Sequence, residues 1–183
     1  MKQNFDIAVI GGGAAGIMAV ISAKQHHPDL RVVIFDQTFA LGRKILISGA
    51  GRCNLTNSNL EKSPEKFYYS DNPDLIKKVF GQFGYKEIFG FFRDDLGLDL
   101  VEDKKTSIGK VFPKTNEAKT VVNLLADYLE KSAVEIILNF KCRGVRRVAN
   151  KSFEITDDNG NAVQCEKLIL ACGGKTYPAL GSD

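Results

Sequence analysis

Near the N-terminus, Gly11-Gly12-Gly13-Ala14-Ala15-Gly16 has the spacing of a glycine-rich phosphate cradle. In G-x-G-x-x-G the three glycines do different jobs. Gly11 permits a tight turn, Gly13 leaves room for a pyrophosphate against the backbone, and Gly16 lets a helix pack closely on a strand. The free N–H groups around Gly13, Ala14 and Ala15, at the positive end of the following helix, would face a diphosphate. Asp36 stands twenty residues after Gly16, with Gln37 beside it. At that distance a carboxylate can accept hydrogen bonds from an adenosine ribose.

The glycine pattern alone is common, and its meaning comes from the elements that position it. Phe5 to Ile10 is a short apolar run of the kind buried in a parallel sheet. Ala14 to about His27 is alanine-rich, reads as a helix and stops before Pro28. Leu30 to Phe35 is a second β-branched strand closed by Asp36. Together they form a βαβ unit of the size expected for a right-handed crossover. The uncharged run from Ile7 to Ala23 does not read as a signal or spanning segment, because glycines interrupt it and it is shorter than roughly 20 residues.

A long basic stretch without periodicity follows, from Ala40 to Asn59, and a loop of that length is usually functional. It carries Gly42-Arg43-Lys44 and Ser48-Gly49-Ala50-Gly51-Arg52-Cys53-Asn54. Glycines let backbone approach a flat ligand, and Arg43, Lys44 and Arg52 can offset phosphate or ring charge. The competing reading is a flexible basic surface loop. Cys53 is either a redox thiol or a small packing residue, and packing is the commoner role.

Beyond the loop, Asn72-Pro73 suits an N-cap and first helical position. Leu75, Ile76, Val79, Phe80 and Phe83 follow at helical spacing. A second helix is expected from about Lys86 to Leu96, with Ile88, Phe89, Phe91 and Phe92 in the core and Gly84 and Gly97 at C′ positions. Leu98–Glu102 and Lys110–Phe112 read as a hairpin. Asn116–Ser132 reads as an amphipathic helix whose buried face carries Val121, Leu124, Leu125, Tyr128 and Leu129. Strands are expected at 134–138, 143–149 and 153–157, with Asp158-Asn159-Gly160 as a hairpin turn, and a last buried strand at 167–171. Cys172-Gly173-Gly174 follows that strand.

Composition narrows the function classes. The 25 Lys and Arg against 22 Asp and Glu leave a net charge of +3 across 183 residues, too weak a surplus to argue for nucleic acid or an anionic membrane. Four cysteines without a CxxC pair, and two adjacent histidines, support neither a metal site nor a disulfide framework. Reduced thiols of this kind suit a cytoplasmic protein.

GGGAAG, GRKILISGAGRCNLTN, GKVFP and LILACGGKTYPALGS resemble the bacterial YhiN/BaiN-type FAD-binding flavoproteins, which include aminoacetone oxidase-like members. The resemblance covers nearly the whole chain. It implies an α/β, glutathione-reductase-like FAD fold of Rossmann type, with a mostly parallel sheet and an added antiparallel β element. It also implies that residues 1–183 form the N-terminal part of the FAD domain, without the cap domain and the returning C-terminal segment. Substrate turnover by these residues alone is then expected to be absent or very slow. Members carry Gly where Ala50 stands and Thr where Cys172 stands. Ala50 should therefore pass with negative φ, or with strain. The resemblance further places the strand around Asn139–Arg143, with the backbone of Cys142, against adenine, Ala171-Cys172-Gly173-Gly174 near the pyrophosphate and ribityl chain as a second glycine contact, Arg43 and Lys44 on the phosphate–ribityl side, and Gly51 to Asn54 near the isoalloxazine, with Arg52 toward its N1/C2 carbonyl end.

The expected function is an FAD-dependent oxidoreductase acting on a small molecule, with hydride passing through flavin N5. Either NAD(P)H serves as electron donor, or an amine does with oxygen as acceptor. A catalytically silent FAD-binding fragment, the NAD-binding domain of a dehydrogenase, and a tRNA-modifying flavoprotein are the alternatives. No acid–base residue stands out. Asp36→Ala should weaken FAD binding by roughly 1.5–3 kcal/mol, the range for a lost hydrogen bond to a charged group. Flavin mononucleotide lacks the adenosine ribose, so paired calorimetric titrations should show the loss for FAD only.

Overall fold

The computed structural model describes residues 4–104, 108–148 and 152–177. In chain order the elements are β1 (Asn4–Ile10), α1 (Ala14–His26), β2 (Val32–Phe35), α2 (Arg43–Ile47), β3 (Thr56–Asn57), α3 (Pro64–Phe67), α4 (Pro73–Gln82), α5 (Tyr85–Gly90), β4 (Leu100–Glu102), β5 (Lys110–Pro113), α6 (Ala118–Lys131), β6 (Glu135–Ile137), β7 (Cys142–Arg147), β8 (Phe153–Asp157) and β9 (Ala162–Leu170). They divide into two units, one of residues 1–45 and 125–183, the other of 46–124.

The first unit is built on a six-stranded sheet ordered β6-β2-β1-β9-β8-β7. β6, β2, β1 and β9 run parallel, and β8 and β7 extend the sheet antiparallel. β-branched and aromatic residues make these strands, and all four residues of β2 are buried. One core cluster joins Phe5, Ala8, Ile10, Val33, Phe35, Phe140, Ile155, Val163 and Cys165. α1 packs on β1 and β2, burying Gly16, Ile17, Val20 and Ile21. It also buries Lys24, whose ammonium donates to the carbonyls of Pro28 and Leu30 and so secures the turn into β2.

β9 is longer than the expected strand. Residues 162–165 pair with β8 and residues 164–170 with β1, so one strand serves both halves of the sheet. The Asp157 carboxylate organises the preceding turn by accepting from the N–H of Asn159 and from the N–H and Nδ2 of Asn161.

The second unit holds the antiparallel sheet β3-β5-β4 and the short helices. Val111, Phe112, Leu98, Phe91 and Phe92 are buried there, and the two phenylalanine rings meet edge-on at 5.2 Å. The basic stretch 40–59 is more ordered than its lack of period suggested, since it contains α2, a 3-10 turn at Ser48–Gly51 and β3. As expected, Asn72 caps α4 by accepting from the Leu75 N–H at 3.0 Å.

Two expectations need correction. Of the α4 stripe only Ile76 is buried, while Leu75, Val79 and Phe83 are exposed. Gly84 is not a C′ residue: its φ is −102°, and its N–H donates to the Glu87 carboxylate at 2.9 Å to start α5. Ala50 adopts φ +58° and ψ +44°, beside Gly49 at φ +57°. Of the two courses expected for Ala50, negative φ or strain, it takes the strained one. Pro178 to Gly181, expected to form a loose tail, lie outside the described residues.

The left-handed conformation costs an L-residue about 1–2 kcal/mol. Ala50→Gly relieves that cost but loosens the unfolded chain by about 0.4–1 kcal/mol. A net gain of about 0.5–1 kcal/mol in unfolding free energy is expected, read as a shift in urea midpoint at unchanged slope.

Candidate functional site

The parallel strands β2, β1 and β9 end side by side at Phe35, Ile10 and Leu170. β1 feeds a crossover to β2 on one flank and borders β9 on the other. A crevice at the carboxyl ends of strands, at such a change of direction, is where open α/β sheets bind ligands. A cavity of about 610 Å³ opens at this place in the first unit.

Its floor is the glycine turn. Gly11 has φ +113°, its N–H donates to the Phe35 carbonyl at 2.8 Å, and a Cβ there would strike the Ala171 carbonyl. A Cβ on Gly16 would strike the Gly11 carbonyl. These two glycines lie beneath the cavity and allow β1, β9 and α1 to converge. Gly13 differs, because a Cβ there would meet nothing within 4 Å and would project into open space; the same holds for Gly174. Both line the cavity. α1 starts at Gly13 with neither a capping side chain nor an acidic residue in its first turn. Its first N–H groups and positive end are thus available to an anion.

Asp36 is held firmly. One carboxylate oxygen accepts from the Gly12 N–H at 2.7 Å, and the other accepts from the Thr38 N–H at 2.8 Å and the Thr38 hydroxyl at 2.6 Å. Gly12 also accepts from the Gly42 N–H through its carbonyl at 2.8 Å. A Cβ on Gly12 would press on the Leu41 side chain and stand 2.9 Å from the Asp36 carboxylate. Asn139 and Phe140 donate to the carbonyls of Thr38 and Asp36, at 3.0 and 2.9 Å. The Phe140 ring lies 4.4 Å from Phe35, and this packing brings Cys142 to the cavity.

Of the residues expected from the sequence, the cavity brings together Gly13, Ala14, Ala15, Asp36, Gln37, Arg43, Lys44, Cys142, Ala171, Cys172, Gly173 and Gly174. Lys44 donates to the Gly174 carbonyl at 3.3 Å, linking two segments 130 residues apart. The Arg43 guanidinium lies 4.9 Å from the centre of the Phe39 ring. The cavity also includes Ile10, Gly12, Thr38, Ala40 and Lys175, which sequence reasoning missed, and Phe140, Lys141 and Arg143, from the strand around 139–143 that the resemblance set against adenine. Of the missed residues only Thr38 left a usable signal, as a hydroxyl two residues beyond a strand-end Asp, the spacing of a local turn.

Ser48, Gly49, Gly51, Arg52, Cys53 and Asn54 belong to the second unit. Arg52 stacks on Phe112 at 4.2 Å, pairs with Asp103 at 3.8 Å and donates to the Gly49 carbonyl at 3.3 Å. Cys53 is buried at φ +60°, and its N–H donates to the Ser48 carbonyl. Burial pushes its thiol up, against a hydrogen bond with Ser48. That favours the packing role over the redox one, since the thiolate is the reactive form. Among the described residues no group of three or more His, Cys, Asp or Glu could hold a metal ion, and no helix is long and apolar enough to cross a membrane.

Fold and site together define a Rossmann-type dinucleotide fold of the FAD-binding kind. The chain belongs to the family described as HI0933-like protein Rossmann domain, which matches residues 5–183. It is similar to a 3-dehydro-bile acid delta(4,6)-reductase of Clostridium scindens, 38% identical over 97% of this chain and 41% of the relative. It is also similar to a ribosomal RNA dihydrouridine synthase of Escherichia coli, 33% identical over 99% of this chain and 42% of the relative. The chain thus spans about two fifths of the length of these relatives. Among solved structures, a variant of E. coli quinol fumarate reductase FrdA superposes with a TM-score of 0.64 at 13% identity, over 96% of this chain and 34% of that one.

The glycines should separate by mutation. Gly13→Val should fold with a near-normal melting temperature yet fail to retain a dinucleotide, because its side chain enters open cavity. Gly12→Val should lose stability first, since it breaks the packing against Leu41 and Asp36. Parallel thermal unfolding and FAD titration of the two variants checks this.

Proposed function

We propose that this chain is the FAD-holding part of an oxidoreductase that reduces a small molecule at the expense of NAD(P)H. The observation that carries the reading is one cavity uniting an uncapped helix N-terminus, open space above Gly13 and Gly174, and a rigidly held Asp36. That set fits a dinucleotide. The N–H groups of Gly13, Ala14 and Ala15 would hold the diphosphate, with Arg43 and Lys44 offsetting its charge. Asp36 would accept from the adenosine ribose with its remaining lone pair, since an ionised carboxylate has about four and three are engaged. The Cys142 backbone would meet adenine, and the segment 171–174 would border the diphosphate and ribityl chain. Ser48, Gly49, Gly51, Arg52, Cys53 and Asn54 are proposed contacts of the flavin ring on the family resemblance.

FAD, when bound, supplies hydride transfer through its N5. The chain's own contribution is to bind and orient that group. Two similar proteins are named as a reductase and a dihydrouridine synthase. Dihydrouridine is uridine with one ring double bond saturated, so both names favour reduction over amine oxidation. A carbon–carbon double bond conjugated to a carbonyl is the substrate class that both suggest. The net charge of only +3 argues against nucleic acid, and several of the basic residues are engaged in ion pairs, Arg143 with Asp158, Arg146 with Glu154 and Lys86 with Glu61. Four free cysteines suit a cytoplasmic setting.

The test is to identify the cofactor released by heat and then follow its visible spectrum with NAD(P)H, a steroid enone and uridine-containing ribosomal RNA in turn. FAD is the expected cofactor, with bleaching by NAD(P)H and recolouring by the enone at most very slow for these residues alone. Recolouring by RNA alone would move the substrate class to nucleic acid. Release of a nicotinamide dinucleotide would overturn the flavin reading.

A further inference from the structure

Asp36 offers the two oxygens of its carboxylate unequally. An ionised carboxylate has about four lone-pair sites, two on each oxygen. Thr38 fills both sites on Oδ1, with its N–H at 2.8 Å and its hydroxyl at 2.6 Å. The Gly12 N–H takes one site on Oδ2, at 2.7 Å. Among the described residues no other group donates to this carboxylate, so the site left to a ligand lies on Oδ2.

Thr38 is itself fixed. Its carbonyl accepts from the Asn139 N–H at 3.0 Å, and its hydroxyl also lies 3.0 Å from the Ala40 carbonyl. With one proton to give, the hydroxyl favours the shorter contact to the charged oxygen. Both Asp36 and Thr38 line the cavity. The Thr38 hydroxyl therefore stands where a second hydroxyl of a ligand would have to donate to Oδ1.

We propose that Thr38 is a specificity-determining residue of this cavity. By filling Oδ1 it restricts Asp36 to a single hydroxyl of an adenosine ribose, donated to Oδ2, and denies it a two-handed grip on the vicinal diol. The proposal rests on the dinucleotide reading of the same cavity. Thr38 acts on the ligand through Asp36. The consequence is an asymmetry: one ribose hydroxyl is read and its neighbour is not. A carboxylate with a free site on each oxygen would read both.

The experiment measures calorimetric dissociation constants of ADP, 2′-deoxy-ADP and 3′-deoxy-ADP for the chain, for Thr38→Ala and for Thr38→Ser. With the unaltered chain, one deoxy analogue should bind within about twofold of ADP and the other at least about tenfold more weakly, the size of one hydrogen bond to a charged acceptor. Thr38→Ala opens a site on Oδ1, so the analogue tolerated before should now fall at least about threefold behind ADP. Thr38→Ser restores the hydroxyl and should restore tolerance of that analogue. Equal losses for both analogues with the unaltered chain, or no loss for either, would overturn the proposal. So would a Thr38→Ala that weakens all three ligands by one common factor, the mark of a merely structural role. FAD binding by the unaltered chain is measured separately. FAD binding with equal deoxy losses defeats this inference alone, whereas the expected asymmetry toward ADP without any FAD binding defeats the flavin reading alone.

Discussion

The hydrogen bond from the Gly12 N–H to the Asp36 carboxylate, at 2.7 Å, is the constraint on which the site depends. It ties the glycine turn after β1 to the end of β2. The same Asp36 accepts from Phe140 through its carbonyl, and its N–H donates to Ile137, so the segment after β6 is tied in as well. Gly12 in turn accepts from Gly42. Four stretches of chain therefore share one rigid junction. Hydrogen bonds to an ionised acceptor are the strong kind, and shielding from water strengthens them further. The geometry offered to a ligand is in this way set before the ligand arrives.

That junction exists only because backbone can pass very close to backbone. Gly11 lies against Ala171, Gly16 against Gly11, and Gly12 against Leu41 and Asp36. Each contact leaves no space for a methyl group. Where the cavity needs volume, at Gly13 and Gly174, the missing side chains leave it open instead. One residue type thus serves opposite ends: crowding that assembles the floor, and vacancy that keeps the cavity open. The second unit spends its left-handed conformations differently. Ala50 and Cys53 carry positive φ beside Gly49 and Gly51, and Arg52 is held by Phe112 and Asp103.

Much of this was legible in the residues. β8 ends where the pattern put it, at Phe153 and Asp157, and the stripe of α6 at Val121, Leu125 and Leu129 is buried. The α6 signal is a local periodicity with one dry face, whereas β8 is a short strand that buries Glu154 and Ile155 on opposite faces. The α4 stripe has the same periodicity, yet Leu75, Val79 and Phe83 are exposed. Periodicity records that a helix has an apolar face, and it does not record what meets that face. Gly84 failed for a related reason: a glycine between two helices can end the first or begin the second, and the side chain of Glu87 decided.

What the sequence by itself determined is the βαβ cradle, the roles of Gly11, Gly13 and Gly16, and the place of Asp36. Those follow from short-range sterics and fixed spacing within about thirty residues. Tertiary structure alone decided that Gly12 is as constrained as its neighbours, and that Thr38 orients Asp36. It alone brought Lys175 to the cavity that Gly12 also lines, and closed the hydrogen bonds that hold the 139–143 segment there. Contacts between residues more than a hundred positions apart depend on strand order and register. No local pattern of side chains encodes that order, because it emerges only when the β6-β2-β1-β9 sheet closes around its core.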